Sequence, residues 1–207
     1  MTTLVMFSGG IDSTAMLVKL LTQDADELRV HHIHMQNREG RDEAEQRAVN
    51  SILAWCREHS RPFRYSESGL DFRGLEAIPI DYLSIAFVAC QVAIDTPHCT
   101  RIAVGSLAAD TDIENRSARQ RRVFDEMYAC YRARKLGEPH VEWIYPVYGT
   151  PKEEIAAALP PELLHLTWSC RRPVDGRRPC LVCKACKARQ SAQGLRIPAK
   201  AAQNPLS

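Results

Sequence analysis

Leu4-Val5-Met6-Phe7-Ser8-Gly9-Gly10-Ile11-Asp12-Ser13-Thr14 is the stretch on which the reading of this chain turns. Residues 4–7 form a short, continuous apolar run, the pattern of a strand buried on both faces, and residues 13–21 continue with helical spacing. Between them, two glycines let the backbone turn tightly and bring its N–H groups against a phosphate. Ser8, Ser13 and Thr14 add hydroxyl donors, and the N-terminus of the following helix favours an anion. Asp12 repels bare phosphate, so its role is to hold a metal ion or to act on the loop itself. The loop has neither the lysine of a Walker A motif nor the GxGxxG of a dinucleotide site.

Working outward, the same alternation recurs. Residues 29–35 read as a second strand, with Val30, Ile33 and Met35 as its apolar members. From residue 42 to 59, Ala44, Ala48, Ile52 and Trp55 recur at helical spacing. A short third strand is expected at 63–66, and a buried helix, apolar nearly all round, at 80–94. A fourth strand falls at 101–107 and includes Gly105. A long basic helix follows at 117–136, a fifth strand at 143–147, and a helix at 152–158 with Pro151 at its first turn. This β-α alternation predicts an α/β fold, a Rossmann-like parallel five-stranded sheet with helices on both faces. Ligands of such sheets bind beyond the carboxyl ends of the strands, here just after Phe7, Met35, Leu107 and Val147. The expected organisation is an α/β domain over 1–165, a small cysteine module over 166–196 and a loose tail over 197–207.

With 45% hydrophobic and 25% charged residues, the 207-residue chain has enough apolar material for a core and is not globally disordered. The net charge of +2 does not by itself argue for nucleic-acid binding. Two local runs are basic: Arg116, Arg119, Arg121 and Arg122, and a second from Arg171 to Arg196 that holds Asp175 as its single acid. Each fits a phosphate-binding surface or a solvated face. No signal peptide or membrane-spanning stretch is apparent, so a cytoplasmic protein is expected. Its eight cysteines are then thiols or metal ligands rather than disulfides.

Cys180, Cys183 and Cys186 form a CxxCxxC, with Cys170 ten residues upstream. Four thiolates close a tetrahedral Cys₄ zinc site; three clustered thiols also suit an iron–sulfur cluster. Cys56 and Cys90 fall in helical patterns and are expected in the core. His32 and His34 lie on one face of the second strand and His31 on the other, which favours structural roles over joint metal ligation.

Ser8-Gly9-Gly10-Ile11-Asp12-Ser13 is the SGGxDS signature of PP-loop ATP pyrophosphatases, which cleave ATP between the α and β phosphates and activate a substrate as an adenylate. Loop and cysteine cluster together resemble the 7-cyano-7-deazaguanine synthase (QueC) family, in order and over most of the chain. Gln36 with Arg38 or Arg41 resembles that family's glutamine-arginine pair, and Tyr82-Leu83-Ser84-Ile85-Ala86 its buried helix. Gly105-Ser106 with Asp110 looks like its fourth-strand loop, Pro146 with Lys152 like its proline and lysine after strand five, and Thr167-Trp168-Ser169-Cys170 with the CxxCxxC like its zinc module. The resemblance implies an adenine nucleotide alpha hydrolase-like fold, structural zinc on Cys170, Cys180, Cys183 and Cys186, and ATP with Mg²⁺ on Ser8, Gly9, Gly10, Ile11, Asp12, Ser13, Thr14, Gln36 and Arg38. Asp12, Lys152 and Asp110 are the implied catalytic residues, with Asp112 competing for the role of Asp110.

The implied reaction is ATP-dependent adenylation of the carboxylate of 7-carboxy-7-deazaguanine, amidation with ammonia, and a second ATP-driven dehydration to the nitrile. The expected partners are ATP, a deazapurine substrate and a second copy of the chain in a homodimer, with no membrane. The family's Gly-Arg-Asn segment is replaced here by Ala77-Ile78-Pro79-Ile80-Asp81, and its Tyr-Pro-Asp-Cys-Arg segment by Asp112-Ile113-Glu114-Asn115-Arg116. Those departures open two alternatives: an enzyme that stops at the amide, and one that transfers the activated deazaguanine to a protein or nucleic-acid amine. The competing readings are a PP-loop tRNA-modifying enzyme, a thiolase or amidotransferase-type synthetase, and a non-catalytic zinc-bearing binding module. A thiolase is expected to carry cysteines near the ATP loop, and none of the scattered cysteines falls at the carboxyl end of a strand. Arg121 and Arg122 are further candidates for meeting a carboxylate or phosphate.

Overall fold

The computed structural model describes residues 1–105, 113–132, 140–192 and 194. Five parallel strands, β1 (Thr2–Met6), β2 (Glu27–Gln36), β3 (Arg64–Asp71), β4 (Cys99–Val104) and β5 (Glu142–Ile144), form one sheet in the order β3-β2-β1-β4-β5. The order reverses at β1, between β2 and β4, and this is the crevice where an open α/β sheet takes its ligand.

Alternation along the strands sends side chains to two cores. Val5, Phe7 and Val30 pack with α1 (Ile11–Gln23), α2 (Asp42–His59), α5 (Lys152–Ala158) and α6 (Pro161–Leu166) through Met16, Leu17, Val49, Ile52, Ile155 and Leu163. Leu4, Met6, Ile102 and Val104 pack on the other face with α3 (Asp81–Ile94) and α4 (Ile113–Arg132) through Ala89, Val92, Phe124 and Tyr128. Each fully buried large aliphatic contributes roughly 1.5–3 kcal/mol. Cys56 and Cys90 lie in these cores, as their helical spacing predicts, and burial pushes both thiols up to about 11.

The expected bounds of α2 and α5 coincide with those observed. The sequence pattern placed strands three and five differently. β3 runs on to Asp71 because it pairs with β2 as far as Gln36, a long-range register that no local pattern carries. Helix α3 is not buried all round: Phe87 is 47% exposed, on the side away from the sheet and α4. Helices α6 and α7 (Lys184–Ala192) had no distinct sequence signal. Among the described residues, no helix is long and apolar enough to cross a membrane.

Candidate functional site

The chain leaves β1 at Phe7, whose N–H donates to the His31 carbonyl at 2.8 Å, and turns through Gly9 into α1. Gly9 has φ +71°, and a Cβ there would stand 3.1 Å from Val49 Cγ2 and 3.2 Å from its backbone nitrogen, so glycine is required by conformation and by space. Gly105, just after β4, is constrained by space alone, since a Cβ would lie 2.9 Å from Ser13 Cα and N. Gly10 N-caps α1 without a side-chain cap. The first N–H groups of the helix are thereby left to a ligand, the arrangement that holds phosphate. The Ser13 hydroxyl donates to the Gly10 carbonyl at 3.1 Å and lies 3.1 Å from Ser8 Oγ, which stiffens the loop.

A cavity of about 300 Å³ opens over this loop at the carboxyl ends of β1, β2 and β4. Ser8, Gly10, Ile11, Asp12 and Ser13 line one side, and Lys152, at the start of α5, reaches Asp12 with Nζ 3.3 Å from Oδ2. β2 outruns β1: their last paired residues are Met6 and His31, while β2 stays paired with β3 to Gln36. By the alternation of a parallel ladder, the backbone N–H and C=O of Ile33 and Met35 point to the side that β1 has vacated, and both residues line the cavity. This offers adjacent donors and acceptors, suited to the edge of a heterocyclic base.

The opposite wall is a charged network that the sequence reading missed. Arg171 donates to Glu39 through Nε at 2.9 Å and Nη2 at 3.0 Å, and its Nη2 also meets Asp81 Oδ2 at 3.0 Å. Arg41 donates to Glu45 at 2.9 Å and to Asp81 Oδ2 at 2.8 Å. Its Nε stands 2.8 Å from Glu39 Oε2, an ion pair without hydrogen-bond alignment. Burial pushes Glu45 up to about 7, against the lowering influence of Arg41. Three segments supply these five residues, 39–45, Asp81 and Arg171, so no single motif announces them. The only signal was the position of Arg41 beside Arg38.

The remaining candidates fall as follows. Thr14 is fully buried and its hydroxyl donates to the Gly10 carbonyl at 2.8 Å, so it fastens the helix turn rather than facing the cavity. Gln36 ends β2 with its carbonyl receiving the Phe72 N–H at 2.8 Å, and it is not in the cavity wall. Arg38 is exposed and away from the wall, where Arg41 stands instead. Arg121 and Arg122 are exposed on α4 and do not line the cavity. Asp110 and Asp112 lie outside the described residues. His31 is held on both ring nitrogens by Ser66 and Ser68 at 2.9 and 3.0 Å. His32 Nδ1 donates to the Phe7 carbonyl at 2.9 Å. Burial pushes both imidazoles down to about 4, so they are neutral.

Cys170, Cys180, Cys183 and Cys186 converge, with all four sulfurs within 4.8 Å of one another. Sulfurs of a tetrahedral zinc site with ~2.3 Å bonds sit ~3.8 Å apart, and the Cys170–Cys180 and Cys180–Cys186 separations of 3.5 and 4.0 Å bracket that value. The N–H groups of Cys180, Cys183 and Cys186 point at sulfurs 3.2–3.4 Å away, an arrangement that stabilises thiolates. These sulfurs could hold a single ion; a [4Fe-4S] cubane, with iron and sulfide at alternate corners, would hold its four thiolates wider apart. The module also braces the site. The Trp168 N–H donates to the Gly9 carbonyl at 2.9 Å, and Arg189 donates to the Leu164 and Thr167 carbonyls, tying α7 to the end of α6.

No protein-family model matches this chain, and no curated protein does. Among solved structures, the fold is similar to the U34-tRNA thiolase NcsA from Methanococcus maripaludis with its [4Fe-4S] cluster, with a TM-score of 0.53 and 17% identity over 94% of this chain. This chain spans 63% of the length of that protein, and at that identity the likeness establishes the α/β fold.

Proposed function

We propose that the protein is an ATP-using synthetase that adenylates a carboxylate on a deazapurine-type heterocycle and passes the activated acyl group to an amine. The observation that supports this most is the uncapped N-terminus of α1 behind Ser8-Gly9-Gly10, facing a cavity that also holds the Lys152–Asp12 pair. In this reading the α1 N–H groups and the Ser8 hydroxyl hold the phosphates, and the Ile33–Met35 backbone edge reads the adenine. A substrate carboxylate oxygen bonds to the α-phosphorus as the bond to the bridging oxygen breaks, and pyrophosphate leaves with its charge met by Lys152. An amine then attacks the acyl carbon and AMP departs; with ammonia the product is the amide. A second ATP adenylates the amide oxygen, and loss of AMP and protons gives the nitrile. In this reading Asp12 holds Mg²⁺, which when bound would offset phosphate charge and polarise the α-phosphorus. The Cys₄ set is assigned to structural zinc.

A tRNA-modifying reading draws on the likeness to a tRNA thiolase fold. Among the described residues, however, no cysteine lines the cavity, and the four clustered thiols are those that fit a single ion. Purified protein given ATP, Mg²⁺, ammonium and 7-carboxy-7-deazaguanine is expected to release AMP with the amide or nitrile, followed by mass spectrometry. AMP formation only with tRNA, and an unchanged acid, moves the assignment to nucleic-acid modification. No AMP with either overturns the synthetase reading.

A further inference from the structure

The acids of the charged wall are not bound alike. Glu39 grips Arg171 in a two-bond fork, and its side chain is only 8% exposed. Glu45, nearly as buried, accepts from Arg41. Asp81 uses one oxygen, Oδ2, for both Arg41 Nη2 and Arg171 Nη2, while Oδ1 is buried with no hydrogen-bond partner. Its side chain is 26% exposed. Glu39 and Glu45 thus have the geometry of permanent partners. A buried carboxylate oxygen left bare is unfavourable, so Asp81 is the least well satisfied acid of the network.

We propose that Arg41 and Arg171 form the clamp for the substrate's carboxylate, and that Asp81 occupies this clamp until the substrate displaces it. This rests on the acid-activating function proposed above. Two guanidinium Nη2 groups already converge on one carboxylate oxygen in the cavity wall, on the side facing the phosphate loop, the donor geometry that planar oxyanions take. Each arginine keeps its own acid when Asp81 leaves, so the network survives the exchange. Asp81 also has an alternative location. It is the first residue of α3, whose N-cap Ile80 supplies no side-chain cap, and a carboxylate in a helix's first turn interacts favourably with the exposed N–H groups.

The test is calorimetry on the full metal-loaded chain and its Asp81→Asn variant, titrated separately with 7-carboxy-7-deazaguanine, its neutral carboxamide and ATP. The substitution keeps the shape of the side chain but not the charge that competes for the arginines. The variant is expected to bind the acid about 3–10-fold tighter, because the clamp is no longer partly occupied, with carboxamide and ATP affinities unchanged. Arg171→Lys, which keeps charge but loses the fork, is expected to weaken acid binding about tenfold, with a melting curve confirming that it folds. Acid affinity that falls or stays level in Asp81→Asn overturns the clamp. Tighter ATP binding instead assigns the two arginines to a phosphate and also overturns it. If neither protein binds the acid while both bind ATP, the acid-activating reading fails and the clamp with it; acid binding that ignores Asp81 sinks the clamp alone.

Discussion

The two walls of the cavity meet charge in opposite ways. The Ser8-Gly9-Gly10 loop presents backbone N–H groups from one helix without a side-chain cap, with Lys152 paired to Asp12, and in the proposed function it is completed by the phosphates of ATP. The wall of Arg41, Glu45, Asp81 and Arg171, backed by Glu39, carries ionisable groups already paired with one another. Backbone dipoles can wait for a ligand at little cost because they remain partly solvated. The Arg41 guanidinium, with its side chain 11% exposed, cannot, since a buried charge without a partner is strongly unfavourable. The same cavity is therefore open on one side and self-occupied on the other, and the ligand part that enters each side is expected to follow different rules.

The cysteine module touches both walls, through Trp168 to Gly9 and through Arg171 to Glu39 and Asp81, so breaking it is the largest perturbation of the contrast. Cys186→Ser, or removal of the ion by a chelator, is expected to unfold the module and abolish ATP binding as well as substrate binding, because metal-binding free energy is folding free energy in such small sites. Elemental analysis of the intact protein is expected to find one zinc per chain and no acid-labile sulfide. Iron with sulfide in equal amounts would reassign the cluster. Retained ATP affinity in Cys186→Ser would show that the phosphate wall stands without its brace.

Next in size is Lys152→Ala, which touches the phosphate wall alone. It is expected to slow AMP formation about 10²-fold, the usual loss on removing one stabiliser of developing charge, while affinity for the carboxylate substrate is unchanged. A joint loss of both would mean that the walls are coupled through more than their shared cavity.

The phosphate wall was legible because its parts are contiguous: a strand, two glycines, hydroxyls and a helix start within eleven residues, each with a local physical reason. The Cys₄ set was legible for the same reason, as two tight spacings and one upstream thiol. The charged wall was not. Glu39, Arg41 and Glu45 are neighbours in sequence, but Asp81 and Arg171 join them only through the docking of α3 and of the cysteine module, and each alone reads as an ordinary surface charge. Arg38 and Arg41 were equivalent in sequence. The turn at Gly40, with φ +61°, separates them, leaving Arg38 in solvent and Arg41 in the wall. Thr14 shows the converse error: a hydroxyl in the motif that the helix's own geometry turns inward, to the Gly10 carbonyl.

The smallest expected effect probes how the charged wall sustains itself. Glu45 sits with Arg41 against it and with Asp81, Arg171 and Glu39 close by, and burial pushes it up to about 7. Because this is above its ordinary value of 4.5, the folded protein binds more protons than the unfolded chain between those two pH values. Stability must therefore fall as pH rises through that window and level off above it. The loss between pH 5 and 7 is on the order of 2 kcal/mol. Glu45→Gln keeps an acceptor for Arg41 but cannot ionise, so denaturant melts across pH 5–8 should show the variant gaining on the native protein as pH rises. A difference that stays flat with pH would mean that Glu45 is ionised throughout and that the wall carries three full negative charges against two arginines. The surplus would then repel an incoming carboxylate, and Asp81 would have to leave before the substrate could approach. A rising difference means a nearly balanced wall, in which a carboxylate can enter as Asp81 rotates away.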